Sequence, residues 1–534
     1  MEANFRRSIV AHPDAATFLG IHTEDQRLPD GTREAIEDQV AQARAHRAAI
    51  EALDPAELSA EVRFERDIEV HNLGLELFEL EEQRLWERRS TAMDGIGDPL
   101  FGLFARNFAP LEERLASLTG RLEAIPRFLA EQRTRATLPQ VGLWQQFELE
   151  SAAEMPSFFD EIVAAGSVLP EPEQRRLAAA AERAKVAVTD YEGFLRGTLD
   201  TAVDSWPLGR ERYDELVARR AFDGQDAGRI VEIGWEQLGR QRAARTAAAR
   251  EVDPTVDEAT VIDRLKSDHP ATFDEALDEY RDAMVRARGY LIEHDIVSVP
   301  ADERIEVLPT PEYLRRVMPF AAYFDAPKFD LNPQGIYIVT PSVDGDPRAM
   351  REHNRSSISN TSIHEAYPGH HLQLSVAGRH PSLSRLTTQA PEFVEGWGMY
   401  SEQMMREQGF DAGPNFRLSM HTDAIWRACR IILDVRMHRG EIGVDEAAAW
   451  LVEQTGFETA HARAEVRRYT YTPTYQLSYL LGKVLLLQLR EDERRRLGDA
   501  FSLRDFHDAL LRNGSLPISF HRRLFAGEGS SAPA

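Results

Sequence analysis

The sequence predicts a mainly α-helical chain with a small β-sheet just ahead of a histidine-rich helix. Three observations carry that reading. Through the first 300 residues Ala, Glu, Leu and Arg recur with apolar residues at helical spacing. From Arg304 to Pro341 the texture changes to alternating, β-branched runs. Then follows Ser362-Ile363-His364-Glu365-Ala366-Tyr367-Pro368-Gly369-His370-His371, with three imidazoles and a carboxylate within eight residues.

Taken in order, helices are expected at Arg33 to Leu53, Leu58 to Trp86, Leu111 to Arg133, Pro172 to Leu195 and Asp223 to Arg250. Breaks are expected at Asp94-Gly95-Ile96-Gly97-Asp98-Pro99, Pro170-Glu171-Pro172 and Ser205-Trp206-Pro207, where Gly and Pro punctuate the pattern. Ile305 to Leu308 and Gly335 to Thr340 read as strands, which could line a peptide-binding rim or pack as a lid on the helices. A further helix runs from Leu418 to Arg439. The expected organisation is an N-terminal helical region (1–300), a metal-binding region (301–526) continuous with it as one helical fold, and a disordered tail (527–534).

The chain has 534 residues, 28% of them charged, with a formal net charge of −25. Such an acidic balance argues against nucleic acid and anionic membrane as partners, both of which want a basic face. The segment after Met1 has no apolar core of a signal peptide, and the apolar run Tyr479 to Leu489 is far short of a membrane span. Cys429 is the only cysteine, which excludes an intrachain disulfide; it reads as a buried small hydrophobe. These features together give a cytoplasmic expectation.

Neutral imidazole is the commonest protein ligand for zinc, and a carboxylate beside it is where an attacking water needs its base. The spacing departs from His-Glu-x-x-His, because the residue four beyond His364 is Pro368. On an unbroken helix His371 would share the face of His364 but lie about 10 Å along the axis, and His370 would point roughly 120° away. Pro368 lacks the amide that would bond the His364 carbonyl, and Gly369 accepts the backbone angles of a break. A kink there could return one of the pair; His370 is favoured, with His371 close behind. A third ligand is expected from Pro391-Glu392-Phe393-Val394-Glu395-Gly396-Trp397, where Glu395 follows after enough chain to turn and come back as a second helix.

HEAYPGHH followed by FVEGWGMYSE resembles the bacterial family called domain of unknown function 885, and the likeness extends through Arg427 to His438 and Arg468 to Tyr479. That family in turn resembles, distantly, the gluzincin metallopeptidases such as angiotensin-converting enzyme and the oligopeptidases. The resemblance implies a large helical fold and one Zn²⁺ held by His364, His370 or His371, and Glu395. Glu365 would serve as general base, and a late tyrosine (Tyr469, Tyr475 or Tyr479) would stabilise the oxyanion. Arg430, Asp434 and His438, one helical turn apart, read either as support for the ligands or a carboxylate anchor, or as a structural ion-pair stripe. The expected function is a zinc-dependent peptidase acting on short peptides. The alternatives are a metal hydrolase of a non-peptide amide or ester, and a non-catalytic helical binding protein with a structural or vestigial site.

Overall fold

Most of the chain is helical in the computed structural model, which describes residues 2–311, 315, 320–330, 332–341 and 349–529. Two units group by contact. The first comprises Met1–Asp54, Glu69–Trp206 and Pro327–Pro333; the second comprises Pro55–Ile68, Pro207–Ala326 and Gln334–Ala534. Residues 207–300, placed with the N-terminal region by composition, thus group with the second unit. The tail expected to be disordered lies outside the described residues from 530 onward.

In the first unit the helices Leu111–Gln132 and Glu171–Leu199 pack together. Leu115, Leu118, Leu122, Ile125 and Leu129 form one buried stripe; Leu177, Ala181, Ala184, Val188, Tyr191 and Leu195 form the other. Asp94 to Pro99, expected as a break, lies inside the helix Ala92–Ala105. Met93, Ile96, Leu100, Phe101 and Leu103 are all buried there. Their burial, at ~1.5–3 kcal/mol per large side chain, outweighs the roughly 3 kcal/mol that an internal proline costs. The long helix expected to reach Trp86 ends earlier: Ala60–Phe78 passes into a π-turn at Glu79–Gln83, and Arg84 takes a left-handed φ of 49°.

In the second unit the strands β1 (Ile305–Pro309), β2 (Ala321–Phe324) and β3 (Gly335–Val339) form a sheet ordered β1-β3-β2. β1 runs parallel to β3 with Ile305 opposite Gly335, and β2 runs antiparallel with Ala321 opposite Val339. β3 is buried along its whole length. Val307, Tyr337 and Val339 pack with Leu277, Tyr280 and Ala283 of the helix Phe273–Glu293 and with Ile358 of the helix Arg355–Glu365. The sheet therefore rests on the helical core and on the very helix that carries His364.

Behind that helix run Pro391–Glu407, Pro414–His438 and Ser478–Leu497. The last of these is preceded by an irregular turn. Thr474 adopts a φ of 67°, a single 3₁₀ turn spans Tyr475–Leu477, and the α-helix begins at Ser478. The turn is held from elsewhere: the Thr474 amide donates to Asp434 Oδ1 at 3.0 Å.

Candidate metal centre

The helix Arg355–Glu365 starts on the Asn354 side chain, which accepts from the Ser357 amide at 3.0 Å, and stops at the residue after His364. Past Ala366 (φ −112°, ψ −85°) the chain turns through a cis Tyr367–Pro368 bond and resumes as the helix His370–Ala377. The turn is tight: the Gly369 amide reaches back to the Ile363 carbonyl at 3.0 Å. A Cβ on Gly369 would stand 1.8 Å from the His364 carbonyl oxygen, so close approach, and not a positive φ, is what demands glycine here. Trp397, from the next ligand-bearing helix, donates its indole N–H to the Pro368 carbonyl at 2.7 Å.

This break brings together His364, His370 and Glu395, whose donor atoms all lie within 4.8 Å of one another. His364 Nε2 is 3.7 Å and His370 Nε2 is 3.5 Å from the same oxygen, Glu395 Oε2. Both are too long for good N–H···O bonds. They approach the edge of a tetrahedron of ligands around zinc, ~3.4 Å for bond lengths near 2.1 Å. The separations therefore fit an ion between the three groups better than direct bonds among them.

Glu402, two turns beyond Glu395 on the helix Pro391–Glu407, lies 2.7 Å from His364 Nδ1. A carboxylate there accepts a hydrogen bond from Nδ1–H and turns Nε2 toward Glu395, where it would be free to ligate an ion. Burial favours the protonated Glu402, but His364, Arg427 and Lys483 outweigh it and hold the carboxyl below its usual range. Burial likewise pulls the His364 imidazolium down, but Glu395 and Glu402 raise its pKa to about 10. Glu395 is held well below the carboxylate range by the two histidines, against its own burial. A cluster that attracts positive charge this strongly suits a divalent cation. Gly398 makes the space: a Cβ there would stand 2.7 Å from His364 Cε1.

His371, the other candidate ligand, is turned to a different set of partners. Its Nε2 is 2.6 Å from Glu303 Oε2, and its Nδ1 is 3.0 Å from the Tyr323 hydroxyl on β2. Glu303 also takes Tyr367 O–H at 2.5 Å and Arg288 Nε at 2.8 Å. The expectation that His371 could be the second ligand is not met by this geometry: adjacent residues on a helix point about 100° apart, and His371 faces Glu303 and Tyr323 while His370 faces Glu395.

Glu365 ends the same helix half-buried, and among the described residues its carboxylate makes no hydrogen bond or ion pair. Of the three tyrosines, Tyr475 reaches the centre, donating its hydroxyl to Glu395 Oε1 at 2.8 Å. Tyr479 lies behind it, ring edge to face at 5.9 Å. Tyr469 is corrected as a catalytic candidate. Its hydroxyl donates to Glu465 at 2.9 Å and accepts from Arg430 and Trp426 at 3.2 Å, with no exposed surface. Asp434 and His438 brace the turn before Tyr475, Asp434 through Thr474 and Tyr213, and His438 through the Tyr469 carbonyl. Sequence reasoning gave no role to Glu402 or Glu303. The i+7 spacing of Glu395 and Glu402 was a usable signal for the first; nothing local marks the second.

Two solved structures share the fold. A "putative lipoprotein of unknown function" from Shewanella oneidensis aligns with a TM-score of 0.79, at 23% identity, over 98% of this chain and 98% of its own. A "putative lipoprotein" from Colwellia psychrerythraea aligns with a TM-score of 0.83, at 18% identity, over 97% of this chain and 96% of its own. These descriptions overturn the cytoplasmic placement. It rested on the residues after Met1 and on a lone cysteine, and a chain needs no disulfide to work outside the cytoplasm. No described helix is long and apolar enough to cross a membrane. No curated protein matches the chain. Its sequence matches one family model from residue 13 to residue 524, and the chain belongs to that family, the bacterial proteins of unknown function called DUF885.

Proposed function

We propose that this chain is a metal-dependent hydrolase, with short peptides as its substrates. The observation that carries the reading is the 3.5 and 3.7 Å spacing of His370 Nε2 and His364 Nε2 about Glu395 Oε2, with Glu402 fixing the His364 tautomer. Two imidazoles and one carboxylate leave room for a fourth ligand, the pattern of catalytic and not structural zinc sites. Zinc held there would supply a Lewis acid and lower the pKa of a coordinated water toward neutrality.

The chain's own residues then have distinct tasks. Glu365, adjacent to His364 and without a hydrogen bond or ion pair among the described residues, accepts the proton of the attacking water and returns it to the leaving amine. Tyr475 donates to Glu395 in the resting state and can redirect its hydroxyl to the oxyanion as the carbonyl is attacked. His371 and Glu303 keep the break rigid, so that His370 stays aimed at Glu395. The distant resemblance to gluzincins supports a peptide as substrate by analogy of ligand set.

The test is the metal content of protein purified without chelator, for wild type beside His364→Ala, His370→Ala, His371→Ala and Glu395→Ala. About one zinc per chain, lost in the first, second and fourth but retained in His371→Ala, is the expected result. Hydrolysis of a peptide library by wild type and not by Glu365→Gln would complete the case. A wild-type chain that takes up no metal after zinc is added back would overturn it.

A further inference from the structure

Beside the tyrosine pair two arginines of the second unit converge on a single carboxylate. Arg430 and Arg468 share one acidic partner, Glu465: Arg430 Nη2 is 3.0 Å from Oε2, and Arg468 Nη2 is 3.1 and 3.0 Å from the two oxygens. Glu465 also accepts the Tyr469 hydroxyl on Oε2, the oxygen the two guanidiniums share. Arg430 is buried and committed, its guanidinium packed over Trp426 at 4.0 Å and over Tyr479 at 4.7 Å. Arg468 differs. Its side chain is 36% exposed, and only Nη2 is engaged among the described residues. An arginine with a free N–H edge beside a buried like charge is a receptor for an anion, and its planar fork matches a carboxylate.

The position of this fork gives it a use. Arg430 lies against Tyr479, Tyr479 against Tyr475, and Tyr475 donates to the ligand Glu395. Arg468 joins this line through Glu465, the carboxylate it shares with Arg430, which puts its fork on the side of the tyrosine pair away from Glu395. Resting on the hydrolase reading above, we infer that Arg468 forms an anion subsite that takes the free carboxylate of a short substrate, so that the enzyme acts near a carboxyl end. Arg430, offered by its sequence position for such a role, is 3% exposed and packed over Trp426 and Tyr479, so the more exposed Arg468 is the better receptor.

Binding decides the matter without turnover. Full-length Glu365→Gln protein is loaded with zinc and titrated calorimetrically with the tripeptide Ala-Ala-Ala and with its C-terminal amide. The free acid is expected to bind at least about tenfold more tightly. Adding Arg468→Met should bring the ratio close to one, while Arg468→Lys, which keeps the charge without the fork, should leave part of it. An unchanged zinc content in both shows that the fold survives. Arg379→Met, a remote and half-exposed site, should leave the ratio intact. Equal affinity for acid and amide, binding of neither, or a ratio that survives Arg468→Met would overturn the inference. A chain that discriminates acid from amide yet holds no zinc would keep the subsite and lose the hydrolase.

Discussion

Glu402→Gln tests how the centre is built, because it removes a charge while keeping shape. Glu402 is buried at 3% exposure, and its one hydrogen bond among the described residues is the 2.7 Å contact to His364 Nδ1. Its second oxygen is buried without a partner, so the carboxylate is held in place chiefly by His364 and by the nearby charges of Arg427 and Lys483. A charge-assisted bond of this kind is worth about 1.5–3 kcal/mol, and a glutamine carbonyl accepting the same proton recovers about half. Support of a ligating histidine by an outer carboxylate typically contributes 10–100-fold in metal affinity. The expected result is a zinc dissociation constant raised about tenfold or more, corresponding to ~1.4 kcal/mol or more. Competition against a chromophoric chelator at neutral pH measures it, with the urea midpoint of the metal-free protein as a check on folding. Affinity within about twofold of wild type, in a folded protein, would refute the assignment of Glu402 as the group that sets the His364 tautomer.

Gly398→Ala should abolish tight zinc binding with a stability loss of only about 1–3 kcal/mol. Its methyl would meet the His364 ring at 2.7–2.9 Å, and that ring is pinned by Glu402; zinc content and urea unfolding on one preparation check both halves. Glu303→Gln should destabilise the protein in a pH-dependent way. Burial raises the Glu303 pKa, but His371, Tyr367 and Arg288 outweigh it and bring it to about 2. A carboxylate whose folded pKa is depressed stabilises the fold above its unfolded value near 4.5 and loses that contribution as pH falls toward 2. The gap between wild type and variant, about 3 kcal/mol at neutral pH, should close over that window in urea titrations. Cys429, fully buried and with its thiol pushed up to about 12 by burial, should resist a thiol reagent in the native chain and react once urea unfolds it.

The helices and the histidine cluster were legible for one reason: each depends on residues close together in sequence. Apolar spacing fixes the stripe of Leu115, Leu118 and Leu122, and the His364 to His371 stretch stands out by composition. What depends on residues brought together from afar was not legible. The helix across Asp94 to Pro99 exists because its apolar side chains are buried against other helices, against the local preference of Gly and Pro. β2 is four residues long with no alternating pattern, and its register comes from β3. The choice between His370 and His371 turns on Glu303, more than sixty residues upstream in the chain. The choice among tyrosines turns on a left-handed Thr474, which places Tyr475 and not Tyr469 on Glu395.

The indole of Trp397 on the Pro368 carbonyl bears on how such a site could arise. The turn Tyr367-Pro368-Gly369 puts a backbone oxygen in the interior, at a cost of about 1–3 kcal/mol unless some donor reaches it. Here the donor sits two residues past Glu395, on a separate stretch of chain. The turn and the tryptophan are therefore energetically coupled, an epistatic pair. A lineage that shed one would be expected to shed both. In a search for distant relatives, that pairing separates them from ordinary His-Glu-x-x-His proteins more sharply than either motif does by itself.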